Sequence, residues 1–322
     1  MGCVTVSKPL VSVIIPSYNH ENYVQNTINS IIDQTYKNIE LIVIDDGSKD
    51  STWQKIQEMK DKCDERFSYI HFETKQNEGT CKTLNKLLSL ANGEYIYLIA
   101  SDDMAKPKAI ELEVEFLEKN PDYALAVGNN EIIDSNDVVC YFDKKQNLIY
   151  DKKKALFHTY VAFLQNRKTF RFISSDFGTY KTLYSNNYIP NGYLIRKSIF
   201  DKIGYFTPEA PLEDWWLMLQ ISKYAKMKYI DEVLFLYRWH QTNTMKNSDK
   251  MRNVTEKTRQ YEETILQNID EKEVLPDVLD VKKNGACYRK IGLPFLFQIL
   301  SYRRQYGKKQ RVIIFLGIKI NL

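Results

Sequence analysis

Four times in the first 120 residues, a short run of apolar, often β-branched residues gives way to a stretch whose apolar side chains recur every three or four positions. The runs are LVSVIIP (Leu10–Pro16), IELIVID (Ile39–Asp45), FSYIHFE (Phe67–Glu73) and EYIYLIA (Glu94–Ala100). Between them lie the helix faces Val24/Ile28/Ile31/Ile32, Ile56/Met59/Cys63 and Leu84/Leu87/Leu88/Ala91, the last stopped by Asn92-Gly93. A fourth helix starts at Pro107 and carries Ile110, Val114 and Leu117. Apolar strands joined by helices require a mostly parallel sheet covered on both faces. The expected fold is therefore α/β, with ligands held beyond the carboxyl ends of the strands.

The polar residues that follow each strand are the candidates for chemistry. Pro16 directs the first strand out of the sheet, and Tyr18 and Asn19 then face the crevice, where a tyrosine can stack on a planar base. Strand two ends in Asp45-Asp46-Gly47-Ser48, where a carboxylate can accept from a nucleobase N–H or a ribose hydroxyl and Gly47 lets the chain turn. The same tetrapeptide also suits an Asp-Gly turn with a helix cap. Strand four ends in Ala100-Ser101-Asp102-Asp103, two adjacent carboxylates where a diphosphate would lie. Hard cations such as Mg²⁺ or Mn²⁺ take oxygen ligands of this kind, although an acidic loop capping the next helix would look the same. Further on, Glu213 and Asp214 precede Trp215-Trp216. A partly desolvated carboxylate there has a raised pKa and can take a proton, while acidic residues also favour the first turn of a helix.

Taken together, VSVIIPSYN, ELIVIDDGSKDST, ANGEYIYLIASDD, YLIRKSIFDKIGYF, EDWW and YRWH resemble the family 2 inverting glycosyltransferases of the GT-A fold, over about Pro9 to His240. The resemblance implies a Rossmann-like sheet and transfer of a sugar from a nucleotide-sugar, most commonly a UDP-sugar, to a saccharide acceptor. It implies that Pro16, Tyr18, Asn19, Asp46, Ser48, Lys82, Asp102 and His240 hold the nucleotide, and that Asp103 holds Mn²⁺ or Mg²⁺. Asp214 is implied as the catalytic base, with Glu213 beside it contacting acceptor or donor sugar. The chain departs from the family pattern at Ala100, where many members have Asp, and at Leu84, where many have a basic residue, leaving Lys82 as the nearest cation. The pattern divides the chain into a transferase domain over 9–245, with a nucleotide-binding half (9–122) and an acceptor half (123–245), and an extension over 246–322.

Beyond residue 123 the pattern is less regular. A strand over Ala124–Val127, an acidic turn at Asp134–Asp137, a helical stretch over Ala155–Leu164 and an amphipathic helix over Trp215–Tyr224 are expected, followed by polar helical segments. The net charge of +4 is a property of the C-terminus, which has ten basic and no acidic residues from Val281 onward. Those bases interleave with IGLPFLFQIL and RVIIFLGIKI, both shorter than the ~20 residues of a membrane-spanning helix. Such a run suits an anionic membrane surface, and equally a C-terminal helix and strand packed on the core. The membrane reading makes a lipid-linked saccharide the acceptor, as in lipooligosaccharide, capsule or O-antigen assembly. No nucleic-acid-binding motif is present.

The five cysteines, Cys3, Cys63, Cys81, Cys140 and Cys287, have no paired spacing and read as reduced thiols. With no secretory leader pattern at the start, the expectation is a cytoplasmic protein, peripheral at the inner face of the membrane. Two other classes remain. A sugar nucleotidyltransferase would carry glycines after the first strand, and PSYNHENY has none. A non-catalytic nucleotide- or glycan-binding GT-A domain would not need both Asp103 and Asp214.

Overall fold

The computed structural model describes residues 8–166, 168, 170–243, 246, 248–293, 297–303, 309–315 and 318–321. The chain divides into two compact units. The first comprises residues up to Phe163, Pro190–Tyr205 and Tyr229–Thr242. The second comprises Leu164–Ile189, Phe206–Lys228 and the chain from Asn243 onward.

The first unit begins with the alternation read from the sequence: β1 (Val11–Ser17), α1 (Val24–Ile32) and β2 (Ile39–Asp45). The next helical stretch is broken into α2 (Thr52–Gln57) and α3 (Lys60–Arg66), followed by β3 (Ile70–Thr74), α4 (Thr80–Leu90) and β4 (Tyr95–Leu98). Ile56, Met59 and Cys63 still share the buried face across that break. Strand β5 (Met104–Ala105) and helix α5 (Ala109–Lys119) complete the four units, and Val24, Ile28 and Ile31 of α1 are fully buried, as their spacing requires.

Strands β3, β2, β1 and β4 are parallel neighbours. Their register sets Ser17 opposite Asp45 and Asp45 opposite Thr74, so three strand ends lie level. The other half of the sheet is antiparallel in part. β6 (Tyr123–Ile133) and β9 (Tyr193–Arg196) pair antiparallel, β9 pairs antiparallel with β4, and β10 (Lys226–Arg238) lies between β6 and β5. β6 is longer than the expected Ala124–Val127, and β7 (Val139–Phe142) folds back on it through the turn at Asp134–Asp137. That turn is an Asx arrangement, since Asp134 Oδ1 accepts from the N–H groups of Asn136 and Val138. A short β8 (Leu148–Ile149) pairs with β7, and of the stretch over 155–164 only α6 (Tyr160–Gln165) is helical. Phe157 instead bridges to Phe142 as an extended residue.

The second unit contains α7 (Tyr180–Leu183), α9 (Glu213–Tyr224), α10 (Ser248–Gln267) and α11 (Pro276–Asn284), while the short α8 (Phe200–Ile203) belongs to the first. α9 departs from the expected amphipathic helix, because every residue from Trp215 to Lys223 is buried. What permits this is Lys223, fully enclosed and paired with Glu262 of α10 at 2.9 Å, with Gln220 donating to the same carboxylate. The C-terminal extension carries strands as well as helices. The two apolar runs of the tail fall in a four-stranded antiparallel meander, β11 (Ala286–Leu293), β12 (Phe297–Arg303), β13 (Lys309–Phe315) and β14 (Ile318–Asn321). Lys282 pairs with Glu271 at 2.8 Å, while the basic side chains from Arg289 onward lie outside the described residues. Among the described residues, no helix is long and apolar enough to cross a membrane.

Glu113 of α5 is fully buried, and burial pushes its carboxyl well above the ordinary range, with the Gly128 N–H as a smaller opposing influence. A raised folded-state pKa stabilises the protein below the unfolded value, and that contribution is lost as pH rises toward the folded one. Glu113→Gln is expected to raise the melting temperature by a few degrees at pH 8 and by less at pH 5. Thermal unfolding at the two pH values checks this.

Candidate active site

The loops after β1 and β2 are clipped together. Asn19 adopts a positive φ of 54°, a conformation Asn tolerates, and from there its N–H donates to Ser48 Oγ at 2.8 Å. Its side-chain oxygen accepts from the Lys49 N–H at 2.8 Å. Gly47 has φ 72°, and a Cβ there would lie 2.7 Å from the Asn77 nitrogen, so the turn admits only glycine. Asp46 is buried in this clip and accepts from Lys75 Nζ, from the Glu78 N–H at 3.0 Å and from the Gly79 N–H at 2.9 Å. Burial works against its ionised form, but these hydrogen bonds outweigh it and the carboxyl lies below its ordinary range. Tyr18 is 43% exposed and Pro16 is half-buried. Lys82 projects from α4 into solvent and pairs with Glu78 at 3.3 Å.

The two carboxylates after β4 have opposite surroundings. Asp103 is buried, its Oδ1 accepting from the Arg238 N–H at 2.8 Å and its Oδ2 from the Asn191 amide at 3.4 Å. Burial, and then the charge of Asp102, push its carboxyl well above the usual range. Burial would raise Asp102 too, but a hydrogen bond from His240 and the neighbouring His20 outweigh it, and its carboxyl is lowered. His240 Nε2 lies 2.9 Å from Asp102 Oδ2, and His20 Nε2 lies 3.8 Å from the same oxygen. Asp103, expected to hold the metal, accepts one hydrogen bond on each carboxylate oxygen. The cluster able to hold a divalent cation among the described residues is His20, Asp102 and His240, whose ligand atoms all lie within 4.8 Å of one another. Desolvation lowers the His20 imidazole, favouring the neutral form that ligates metals.

Arg238, which the sequence did not single out, organises this loop. It is fully buried, with Nε donating to the Asp102 carbonyl at 2.6 Å and Nη1 to the Asp134 carbonyl at 2.9 Å. Its Nη2 meets Asp137 at 2.5 Å, and its guanidinium lies over the Tyr23 ring at 4.6 Å. His20, Ser101 and Asn191 were missed as well, because each is defined by a partner distant in sequence, and Thr242 was missed although its partner His240 is two residues away.

In the second unit, Glu213 and Asp214 occupy the first turn of α9 and are half-buried. Asp214 Oδ1 accepts from the Trp215 N–H at 2.5 Å and Oδ2 from the Asn187 amide at 3.1 Å. Desolvation raises the Asp214 carboxyl despite these bonds. Desolvation and then the Asp214 charge push Glu213 up to about 7. Asn187 is a further residue that spacing did not reveal.

A parallel sheet with nucleotide-type loops at its strand ends, continued by antiparallel strands that return a histidine to the acidic loop, defines a GT-A-type glycosyltransferase. The profile of "Glycosyl transferase family 2" matches residues 12–203, and the chain belongs to that family. It is 35% identical over 247 residues to a glycosyltransferase of Haemophilus influenzae, an overlap of 75% of this chain and 70% of that protein. It is 36% identical over 144 residues to the UDP-Glc:alpha-D-GlcNAc-diphosphoundecaprenol beta-1,3-glucosyltransferase WfgD of Escherichia coli, covering 44% of this chain and 54% of WfgD. In fold it is similar to residues 1–349 of S. aureus TarS, with a TM-score of 0.55 and 17% identity over 82% of this chain and 67% of that one. The protein is thus an enzyme that transfers a sugar from a nucleotide-sugar donor to an acceptor in glycan biosynthesis.

Arg238→Lys keeps the charge but cannot span three acceptors with a planar fork. It should lower the melting temperature and weaken nucleotide binding together, whereas Arg238→Ala should cost about 3–5 kcal/mol by stranding buried partners. Denaturant unfolding and nucleotide titration of both variants test this.

Proposed function

We propose that the enzyme moves one sugar from a UDP-sugar to a hydroxyl of a lipid-linked saccharide, with inversion, during bacterial surface-glycan assembly. The observation that carries the chemistry is Asp214, a half-buried carboxylate with a raised pKa, oriented by the Asn187 amide and the Trp215 N–H. A base so placed takes the acceptor hydroxyl proton as that oxygen attacks the anomeric carbon. The bond from carbon to the phosphate oxygen breaks on the opposite face, and its electron pair leaves with the nucleoside diphosphate. Glu213, pushed up to about 7, is partly protonated at neutral pH and suits a hydrogen bond to a sugar hydroxyl.

On the donor side, Tyr18 offers a stacking face, while Pro16, Asn19, Asp46 and Ser48 form or support the clip beneath it. Asp46 has its charge held in place by backbone N–H groups and Lys75, which favours acceptance from a base N–H over direct contact with phosphate. We assign the divalent cation, Mn²⁺ or Mg²⁺, to Asp102 and His240 in place of Asp103, whose role is then to anchor the loop. Bound there, the cation neutralises charge on the departing diphosphate. The name of WfgD gives that relative a UDP-glucose donor and a diphosphoundecaprenol-linked acceptor, which supports a UDP-sugar and a lipid-linked acceptor here. The basic C-terminal run supports a peripheral position at an anionic cytoplasmic membrane face.

The test is release of nucleoside diphosphate from UDP-, dTDP-, GDP- and CMP-sugars, with and without a diphosphoundecaprenol-linked acceptor. Acceptor-dependent release from the UDP-sugar alone is expected, and the anomeric configuration of the product should be inverted by NMR. Retention of configuration would sink the single-displacement mechanism. Asp214→Asn should lower kcat by about 10²–10⁴ with little change in donor affinity. In the wild type, kcat/KM should rise with pH along a limb lying above the ordinary carboxylate range, because the base must lose its proton to act. Measuring the pH profile with and without Glu213→Gln separates the two carboxyls.

A further inference from the structure

We propose that His20 is a second imidazole ligand of the cation at Asp102 and His240, making the donor set two nitrogens and one carboxylate oxygen. Ser101 and Thr242 position both rings. This rests on the assignment of the cation to Asp102 and His240 and adds to it the residue that selects the metal.

The geometry is specific. His20 follows β1, Asp102 follows β4 and His240 follows β10, and all three belong to the first unit. Ligand atoms around one cation, with bonds of about 2.1 Å, stand about 3 Å apart when adjacent and about 4 Å apart when opposite. The separations of 2.9 Å and 3.8 Å from Asp102 Oδ2 to the two Nε2 atoms fall in that range. At 3.8 Å, His20 Nε2 is beyond hydrogen-bond reach of the carboxylate it faces. That atom is therefore aimed at the anion without bonding to it.

Both rings are held from behind. His20 Nδ1 lies 2.8 Å from Ser101 Oγ, and His240 Nδ1 lies 2.8 Å from Thr242 Oγ1. When a cation takes the place of the His240 Nε2–H···Asp102 hydrogen bond, each hydroxyl can accept from Nδ1–H and leave the Nε2 lone pair to the metal, and such supports stand behind most ligating histidines. The ring of His20 is fixed further by its own backbone, whose N–H donates to Thr52 Oγ1 at 2.8 Å. Tyr23 closes one side, its centroid 6.1 Å from that of His20 and 5.1 Å from that of His240. The positive charge of Arg238 nearby is met by Asp137 at 2.5 Å, which reduces its opposition to a bound cation.

Carboxylate and water ligands suit Mg²⁺, whereas imidazole nitrogens shift preference toward transition metals in the Irving–Williams order. A set with two imidazoles should therefore prefer Co²⁺ and Mn²⁺ to Mg²⁺, where a lone carboxylate would discriminate little.

The experiment uses the full chain and the metal alone, without nucleotide. Mn²⁺ binding is followed by the EPR signal of the free ion, and ligation by ¹⁴N couplings in pulsed EPR. The wild type should show couplings from two imidazoles and bind Mn²⁺ at least about tenfold more tightly than Mg²⁺. His20→Ala and His20→Gln should each leave one imidazole coupling and weaken Mn²⁺ by about tenfold or more, with melting temperatures showing that both fold. Ser101→Ala should weaken Mn²⁺ while keeping both couplings. Unchanged affinity and an unchanged two-nitrogen pattern in the His20 variants, or Mg²⁺ displacing Mn²⁺ at equal concentration, would overturn the proposal. If only the His20 variants are silent, while Asp102→Asn and His240→Ala abolish binding, His20 is not a ligand and the parent assignment stands. If all four variants bind like the wild type, the cation assignment itself fails.

Discussion

A buried guanidinium is costly unless it is paired, and Arg238 is paired on several sides. Two backbone carbonyls, one carboxylate and the face of Tyr23 surround it, and its own N–H holds Asp103. The rest of the site depends on this one side chain. It draws the loop after β4, the turn after β6 and the end of β10 to a common point, and the two residues that follow it carry His240 to the same place. A point charge such as lysine could neutralise Asp137 but could not span the other acceptors at fixed angles.

Around that anchor, adjacent carboxyls of the same chemistry are given different work by their surroundings. Asp102 faces imidazoles and stays ionised, while Asp103 is enclosed and pushed toward its neutral form. In the second unit, Asp214 and Glu213 are also split, the latter by desolvation and by its neighbour's charge. The first pair reads as two identical acids in the sequence and the second as two acids one methylene apart, and the partners around each oxygen distinguish them.

What could be read from the sequence was what is local. The strands β1, β2 and β4 and the faces of α1, α4 and α5 follow from periodicity, since burial on a sheet face or helix stripe depends on near neighbours. The polar exits Tyr18–Asn19, Asp46–Ser48 and Asp102–Asp103 follow from where those strands end. The different surroundings of Asp102 and Asp103 did not, because Asp103 is held by Arg238 and Asn191, 135 and 88 residues away. The all-round burial of α9 was hidden for the same reason, since Lys223 is tolerable inside only because Glu262 arrives from α10. The tail meander was obscured by composition, as basic residues interrupt the apolar runs that its strands share.

The position of β10 has a consequence for the order in which the molecule is made. Strands β1 to β4 are close in sequence and can pair while the chain is still emerging from the ribosome. Asp102 and His20 are present by then. Arg238 and His240 are supplied by a strand that enters later, between β6 and β5, and β5 itself follows directly on the acidic loop. A nascent chain thus displays a nucleotide-binding edge before it has a finished cation pocket. Insertion of this strand is the event that brings His240 to His20 and Asp102, so on the assignment proposed above metal capture would mark completion of this unit.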